Sequence, residues 1–207
     1  MLRRDSRTGD QVVDQLENEN TRIQLALIGE LTTLLSTSGI LHWLVGGWAV
    51  DFLNGSITRS HDDLDWSIWE RDAAKVHTIL INAQYQAREG PFPGEAQWYS
   101  KYGQKITVFL LRENDQGLVV NPGRLTDWPW PIDSFNARRR VSLDAIVCPV
   151  VSIEGQLDAK ENQPGGPQLP KDIADIMCLR KLLQKDKNQT EHREVAAWRK
   201  RRLVRGS

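Results

Sequence analysis

Cysteine is scarce in this sequence: Cys148 and Cys178 are the only two among 207 residues. Both sit in apolar surroundings, "AIVCPVV" and "DIMCLRK", with no Cys-x-x-Cys and no Cys/His spacing. That excludes a disulfide scaffold and a cysteine zinc site, and it leaves buried thiols in a reducing compartment. Long apolar runs are missing too, so no bilayer-spanning segment or secretory leader is expected, and the expected setting is cytoplasmic. Net charge is zero, with 27 basic and 27 acidic residues. A dedicated nucleic-acid binder usually carries a basic excess, so such a partner is not expected. The basic stretch "HREVAAWRKRRLVRGS" at the C-terminus reads as a solvated helix face and tail. Internal repeats are absent.

What is present is a core-forming chain, 40% hydrophobic and 26% charged, long enough for one domain with a small helical appendage. Residues 1–9 are polar and read as a loose N-terminal segment. From Asp10 to Ser36 the spacing of Gln24, Leu27, Ile28, Leu31, Leu34 and Leu35 predicts a helix, stopped by Gly39. "ILHWLV" (40–45) reads as a strand, "WAVDFLN" (48–54) as a short helix and "LDWSIW" (64–69) as an alternating strand. "RDAAKVHTILINAQ" (71–84) reads as a helix with Ala74, His77, Ile79, Leu80 and Ile81 toward the core.

Residues 88–104 are rich in Gly and Pro and read as a loop, followed by strands at 105–112 and 117–121. The Pro- and Trp-rich stretch 122–135 excludes regular structure, and 141–152 supplies more strand. "QPGGPQLP" (163–170) reads as a linker before the helix "KDIADIMCLRKLLQK" (171–185). The order implies an α+β domain over 10–162, with a mixed β-sheet flanked by helices. A C-terminal helical segment over 163–207 packs on it.

The chemistry lies in "LVGGWAVDFLNGSITRSHDDLDWSIW", residues 44–69. On a strand, residues two apart share a face. Asp63 and Asp65 therefore stand together on one face, while Leu64, Trp66 and Ile68 bury the other. Two carboxylates side by side raise each other's pKa unless a cation lies between them. Such a pair suits Mg²⁺, which takes hard oxygen ligands and keeps substrate phosphates as further ligands. One or two such ions clamp the oxygens of a phosphoryl displacement. Gly46 and Gly47 sit sixteen residues earlier, between a strand and a helix. There, glycine lets backbone N–H groups approach a phosphate at a helix N-terminus. Either feature alone is common; together they describe a nucleoside-triphosphate site.

The same stretch resembles the signature of the aminoglycoside and lincosamide nucleotidyltransferases, within the DNA polymerase β-like nucleotidyltransferase superfamily. Those enzymes carry a Gly-Gly-Trp-Ala-(Ile/Val)-Asp run, here Gly46 to Asp51. A Thr-Arg-x-His-Asp-Asp-(Ile/Leu)-Asp run follows, here Thr58 to Asp65. The later "LPKDIADIMCLRKLL" resembles the Lys-Asp-x-x-Asp helix that follows the catalytic sheet in many relatives. The resemblance implies a nucleotidyltransferase-type sheet and transfer of AMP, or another NMP, from a Mg²⁺-bound ATP or other NTP to a small-molecule hydroxyl, releasing pyrophosphate. It implies Asp63 and Asp65 as catalytic metal ligands and Gly46 and Gly47 as the triphosphate cradle. Arg59 and Lys171 would reach phosphate, and His61 would orient Asp63 or cap the strand. Asp51 is expected to cap or pair within its short helix, and Asp62 to point away from the metal pair.

The resemblance also implies a third carboxylate on the strand after the Asp-x-Asp helix. "KITVFLLR" contains none, and Thr107 or Ile106 stands there. Glu95, Glu113 or Asp115 would have to replace it from a loop. Without a replacement, the second reading is a nucleotide-binding protein with little transfer activity; a third is a protein-modifying nucleotidyltransferase. For the acceptor, the loops 88–104 and 122–135 offer Trp98, Trp128 and Trp130 as flat surfaces. They also offer Glu95, Asp127 and Asp133 as anions for an amine-bearing compound such as an aminoglycoside.

Overall fold

The computed structural model describes the backbone of residues 7–162 and 169–204, and the side chains of 18–162 and 169–187. Helix α1 (Arg7–Thr37) begins inside the segment expected to be loose and ends at Gly39, whose φ of 70° is left-handed. Its stripe is buried at Gln24, Leu27, Ile28, Leu31 and Leu35, as the spacing predicts. β1 (His42–Val45) leads without a loop into α2 (Gly46–Asn54), so both glycines belong to the first turn of that helix. β2 (Asp63–Trp69) follows, then a 3₁₀ turn at Glu70–Asp72 and α3 (Ala73–Asn82). α3 is shorter than expected and buries Val76 and Leu80. Ala74, His77 and Ile81 face outward, because the 3₁₀ turn shifts the phase of the helix.

The larger correction concerns residues 88–104. They contain no long loop: β3 (Gln86–Arg88) and β4 (Ala96–Lys101) pair antiparallel, and β4 pairs with β5 (Gln104–Glu113). β6 (Val119–Val120) hangs on the far end of β5. The sheet order is β1-β2-β5-β4-β3, with β2 and β5 parallel and every other pairing antiparallel, which is the mixed sheet expected. β7 (Arg140–Leu143) and β8 (Ile146–Pro149) form a separate hairpin whose turn holds Asp144 and Ala145 at positive φ.

α4 (Ile153–Asn162) then precedes α5 (Pro170–Val204). α4 was not expected, because "IEGQLDAKEN" carries little apolar periodicity. Most of the expected linker lies outside the described residues, as do the side chains of the basic tail. Proline opening α5 is favourable, since its missing N–H would have no helical partner there.

One sheet face packs Leu44, Leu64, Trp66, Ile68, Ile106, Val108 and Leu110 against α1, α2 and α3. Burial of each such side chain contributes roughly 1.5–3 kcal/mol. The opposite face is divided. Its far half, at Trp43 and Trp69, is covered by the 122–135 loop, with Phe135 5.3 Å from Trp43 and Trp130 4.9 Å from Phe135. Its near half is only partly covered and holds Asp63 and Asp65, both half-buried. Both cysteines are free. Cys148 is buried, and burial pushes its thiol up to about 12; Cys178 is only half-buried. Among the described residues no helix is long and apolar enough to cross a membrane.

Candidate active site

Asp63 and Asp65 share one face of β2, while Leu64 and Trp66 between and beyond them are buried on the other. β5 places Lys105 beside Asp63 and Thr107 beside Asp65. Burial, and then the charge of Asp63, push the Asp65 carboxyl up to about 7, and a hydrogen bond from Thr107 opposes the shift. Neither carboxylate forms an ion pair with Lys or Arg among the described residues. Lys160 and Lys171 lower the Asp65 carboxyl only in part, so the pair still favours a further cation, and this donor set fits Mg²⁺ completed by phosphate oxygens. No group of three or more His, Cys, Asp or Glu side chains that would hold a metal exists among the described residues.

The glycine turn is built between Asp65 on one side and Arg59 and His61 on the other. Gly46 has φ 72°, and a Cβ there would overlap the Asp65 carboxylate. A side chain on Gly47 would overlap the Arg59 guanidinium and lie 2.6 Å from His61 Nδ1. Both glycines are therefore required for close approach. The Gly46 N–H, however, donates to the buried Gln156 Oε1 of α4 at 3.0 Å. That amide already has a partner, which leaves the cradle to Gly47 and the groups beside it.

Arg59 and His61 belong to a buried network and do not touch Asp63. His61 Nε2 lies 2.6 Å from Asp51 Oδ2, and its ring stacks on Trp48 at 4.4 Å. Asp51, fully buried, also accepts the Thr58 N–H at 3.1 Å and the Thr58 hydroxyl at 2.5 Å. It thus pairs across to the 56–62 loop, not within its own helix, because its helical position turns it toward that loop. Gln24 of α1 completes the clamp by accepting from Trp48 Nε1 and donating to the His61 carbonyl, each at 3.0 Å. Sequence spacing hid this role, since Gln24 sits in an otherwise apolar stripe.

Arg59 is held by Asp175 of α5, with Nη2 to Oδ2 at 2.9 Å. Lys160 of α4 also binds Asp175 at 2.9 Å and Asp172 at 2.9 Å. Burial works to raise the Asp175 carboxyl, but the hydrogen bonds from Arg59 and Lys160 outweigh it and hold it below the usual range. Burial likewise opposes the Arg59 charge, and Asp175 overrides that and raises it. Gln156 and Lys160 carried no recognisable signal, because α4 itself was not legible; Asp175 stands in the Lys-Asp-x-x-Asp run of α5, whose resemblance marked the helix but not the pairing with Arg59. Lys171 pairs with the exposed Asp62 at 3.1 Å, and Asp63 adds to the field that raises it. It therefore stands at the rim of the acid pair.

The loop acids proposed to replace the third carboxylate lie elsewhere. Glu113 is six residues along β5 from Thr107, about 20 Å at strand rise, and Asp115 is beyond it. Glu95 pairs with Leu110 and is gripped by Arg124, Nε to Oε1 at 3.0 Å. The expected acceptor residues also separate. Trp98, beside Thr107 in register, lines a cavity of about 760 Å³ that also touches Asp63, Arg88 and Lys105. Asp127 lines a different cavity of about 650 Å³ at the far end of β5. Trp128 donates to Asp158 at 3.2 Å, and Trp130 donates to Asn121 at 2.8 Å within the covering loop. Asp133 is exposed in that loop at φ 63°.

A mixed sheet with an Asp-x-Asp strand behind a glycine-opened helix defines a nucleotidyltransferase. The fold is shared with solved enzymes of that class. The lincosamide antibiotic adenylyltransferase LnuA, solved with lincomycin bound, is 22% identical over 72% of this chain and 92% of that one, with a TM-score of 0.56. ANT(2'')-Ia, solved with adenylyl-2''-tobramycin, is 18% identical over 86% of this chain and 98% of that one, with a TM-score of 0.60. No curated protein sequence matches the chain. The family described as aminoglycoside-2''-adenylyltransferase matches residues 27–179, and the chain belongs to that enzyme family.

Proposed function

We propose that the protein transfers a nucleoside monophosphate, AMP from ATP in the first instance, to a hydroxyl of a small molecule, with aminoglycoside or lincosamide antibiotics as the acceptor class. The observation that carries this reading is the Asp63/Asp65 pair on one strand face with Asp65 packed against Gly46, neither carboxylate being in an ion pair with Lys or Arg among the described residues. Asp63 and Asp65 would hold Mg²⁺, which supplies charge neutralisation at the phosphates. The Gly47 N–H, the α2 N-terminus and Lys171 bind and orient the triphosphate, and Arg59 borders them. The acceptor oxygen bonds to the α-phosphorus as the bridging oxygen leaves with pyrophosphate, and the hydroxyl proton passes to solvent. Catalysis is then mainly positioning and electrostatic stabilisation.

A weakly active nucleotide-binding protein is the second reading, favoured by one observation. The place of the third carboxylate is taken by Thr107, which is spent on Asp65. Steady-state pyrophosphate release from each NTP with Mg²⁺, with and without a panel of antibiotics, separates the two. Acceptor-dependent release supports transfer. Nucleotide binding without release under any condition supports the second reading. An unchanged melting temperature at saturating Mg-ATP removes both.

A further inference from the structure

We propose that the acceptor is a hydroxyl compound of low positive charge, held between the Trp98 indole and the cations Lys105 and Arg88, and not a polycationic aminoglycoside. The inference rests on the transferase reading above and narrows its substrate class. The acid pair has two flanks. The glycine turn, Arg59 and Lys171 lie on the β1–α2 flank, where the triphosphate is assigned. The cavity of about 760 Å³ opens on the β5–β4–β3 flank and touches Asp63 directly, so an acceptor there has its hydroxyl beside the metal ligands.

The charge of that cavity runs opposite to the sequence expectation. Its basic lining residues are Arg88, Lys101 and Lys105; its acids are Asp63 and Glu89. Lys101 is engaged by Glu30 on the helix side of the sheet. Arg88 is bonded only to neutral groups, Ser100 Oγ and Gln86 Oε1, each at 2.8 Å, and its charge is exposed. Lys105 is exposed and forms no ion pair among the described residues. With Asp63 committed to a divalent ion, the free lining charges are Arg88 and Lys105 against Glu89 alone.

The anions suited to a polyamine, Glu95 and Asp127, are removed from this cavity: the first is locked by Arg124 and the second faces the other end of β5. Like charges facing a ligand suppress binding of the wrong partner. Trp98 supplies the flat surface, and a side chain at Gly90 would overlap its ring, so glycine there sets the indole against the sheet. A ring compound presenting carbonyl or acidic oxygens to Lys105 and Arg88 fits this lining.

The test is equilibrium binding by calorimetry, with Mg²⁺ and a non-hydrolysable ATP analogue present, of tobramycin and of lincomycin. Lincomycin should bind at least tenfold more tightly. The double variant Lys105→Glu, Arg88→Glu should narrow that preference at least tenfold, chiefly by tightening tobramycin. Tighter binding of tobramycin by the unaltered protein, binding of neither compound, or a preference unmoved by the double variant would overturn the inference. Both side chains are exposed, and melting of the variant checks that it folds. Loss of Mg-ATP stabilisation in the unaltered protein would instead sink the transferase reading, whatever the acceptor preference.

Discussion

The two flanks of the Asp63/Asp65 pair are built differently. On the glycine flank each polar group has a partner: Asp51 is hydrogen-bonded to His61, and Arg59 is paired with Asp175, Lys160 with Asp172 and Asp175, Lys171 with Asp62. These contacts join α2, the 56–62 loop, α4 and α5 into one fixed wall. On the β5–β4–β3 flank, Lys105, Arg88 and Trp98 line an open cavity, and the two cations have no carboxylate partner among the described residues. A site preorganised on one side and unpaired on the other keeps one ligand constant and leaves the second free to vary. On the proposed reading the nucleotide belongs to the wall and the acceptor to the cavity.

The most severe break of this comparison removes the pair that both flanks serve. Asp63→Asn and Asp65→Asn should each cut pyrophosphate release by about 10²–10³-fold, the scale of losing one preorganised electrostatic group. Each should also abolish the stabilisation by Mg-ATP, which at a hundredfold excess over Kd amounts to about 2.7 kcal/mol. A full melting shift with Asp63→Asn would place the nucleotide site elsewhere.

The next contrast sets wall against cavity. Asp175→Ala takes from Arg59 its carboxylate partner and leaves Lys160 with Asp172; Asp175 has 3% of its side chain exposed. Breaking a buried pair from one side costs about 3 kcal/mol. Arg88→Ala, on the exposed cavity side, should stay within about 0.5 kcal/mol. Denaturant unfolding of both variants gives the comparison, and equal losses would dissolve the distinction between the flanks.

Much of the shared pair was legible from sequence, and much of the two flanks was not. Alternation in "DLDWSIW" assigns Asp63 and Asp65 to one face because one buried face fixes strand phase. The glycines were readable because close approach leaves no other residue possible. β4, "AQWYSK", was lost because its outward residues are polar or aromatic on a half-bare face and Gly and Pro flank it, so local chemistry argued for a loop. α4 was lost because its contribution is polar: Gln156 and Lys160 face other polar groups, a pattern with no hydrophobic period. Asp51 and His61 were visible as residues, but their pairing depends on how the 56–62 loop folds back, which spacing does not encode.

A titration sharpens the comparison at its centre. Asp65 is raised from 3.8 to about 7 in the folded protein. The folded state therefore holds a proton that the unfolded state has lost. Without metal, stability from this group is full below the unfolded value and falls as pH rises toward about 7. Melting of the metal-free protein should drop by several degrees across that window, and Asp65→Asn should flatten the curve. Mg²⁺ with nucleotide should reverse the trend, because the ion takes the ionised form and releases the proton. A flat profile in the unaltered protein would mean that Asp65 is already ionised at low pH and has a cationic partner.

The smallest effect expected is at Thr107, where the two flanks meet. Its hydroxyl donates to Asp65 and lowers that carboxyl against burial and against Asp63. Thr107→Val keeps the shape and deletes one hydrogen bond, worth about 1 kcal/mol. That corresponds to a rise of less than about one pH unit in the Asp65 midpoint. The readout is the pH dependence of melting, or carboxyl NMR, and Mg²⁺ affinity near pH 6.5 should weaken by about fivefold for the same reason. Thr107→Asp makes the opposite change, adding a carboxylate at the register position beside Asp65. If slow turnover reflects the absence of that acid, Thr107→Asp should raise kcat while leaving nucleotide affinity nearly unchanged, since the added group acts at the reacting oxygen. If turnover is already fast and Thr107→Asp lowers it, two carboxylates suffice on this sheet, and the hydroxyl beside Asp65 is the arrangement the reaction uses.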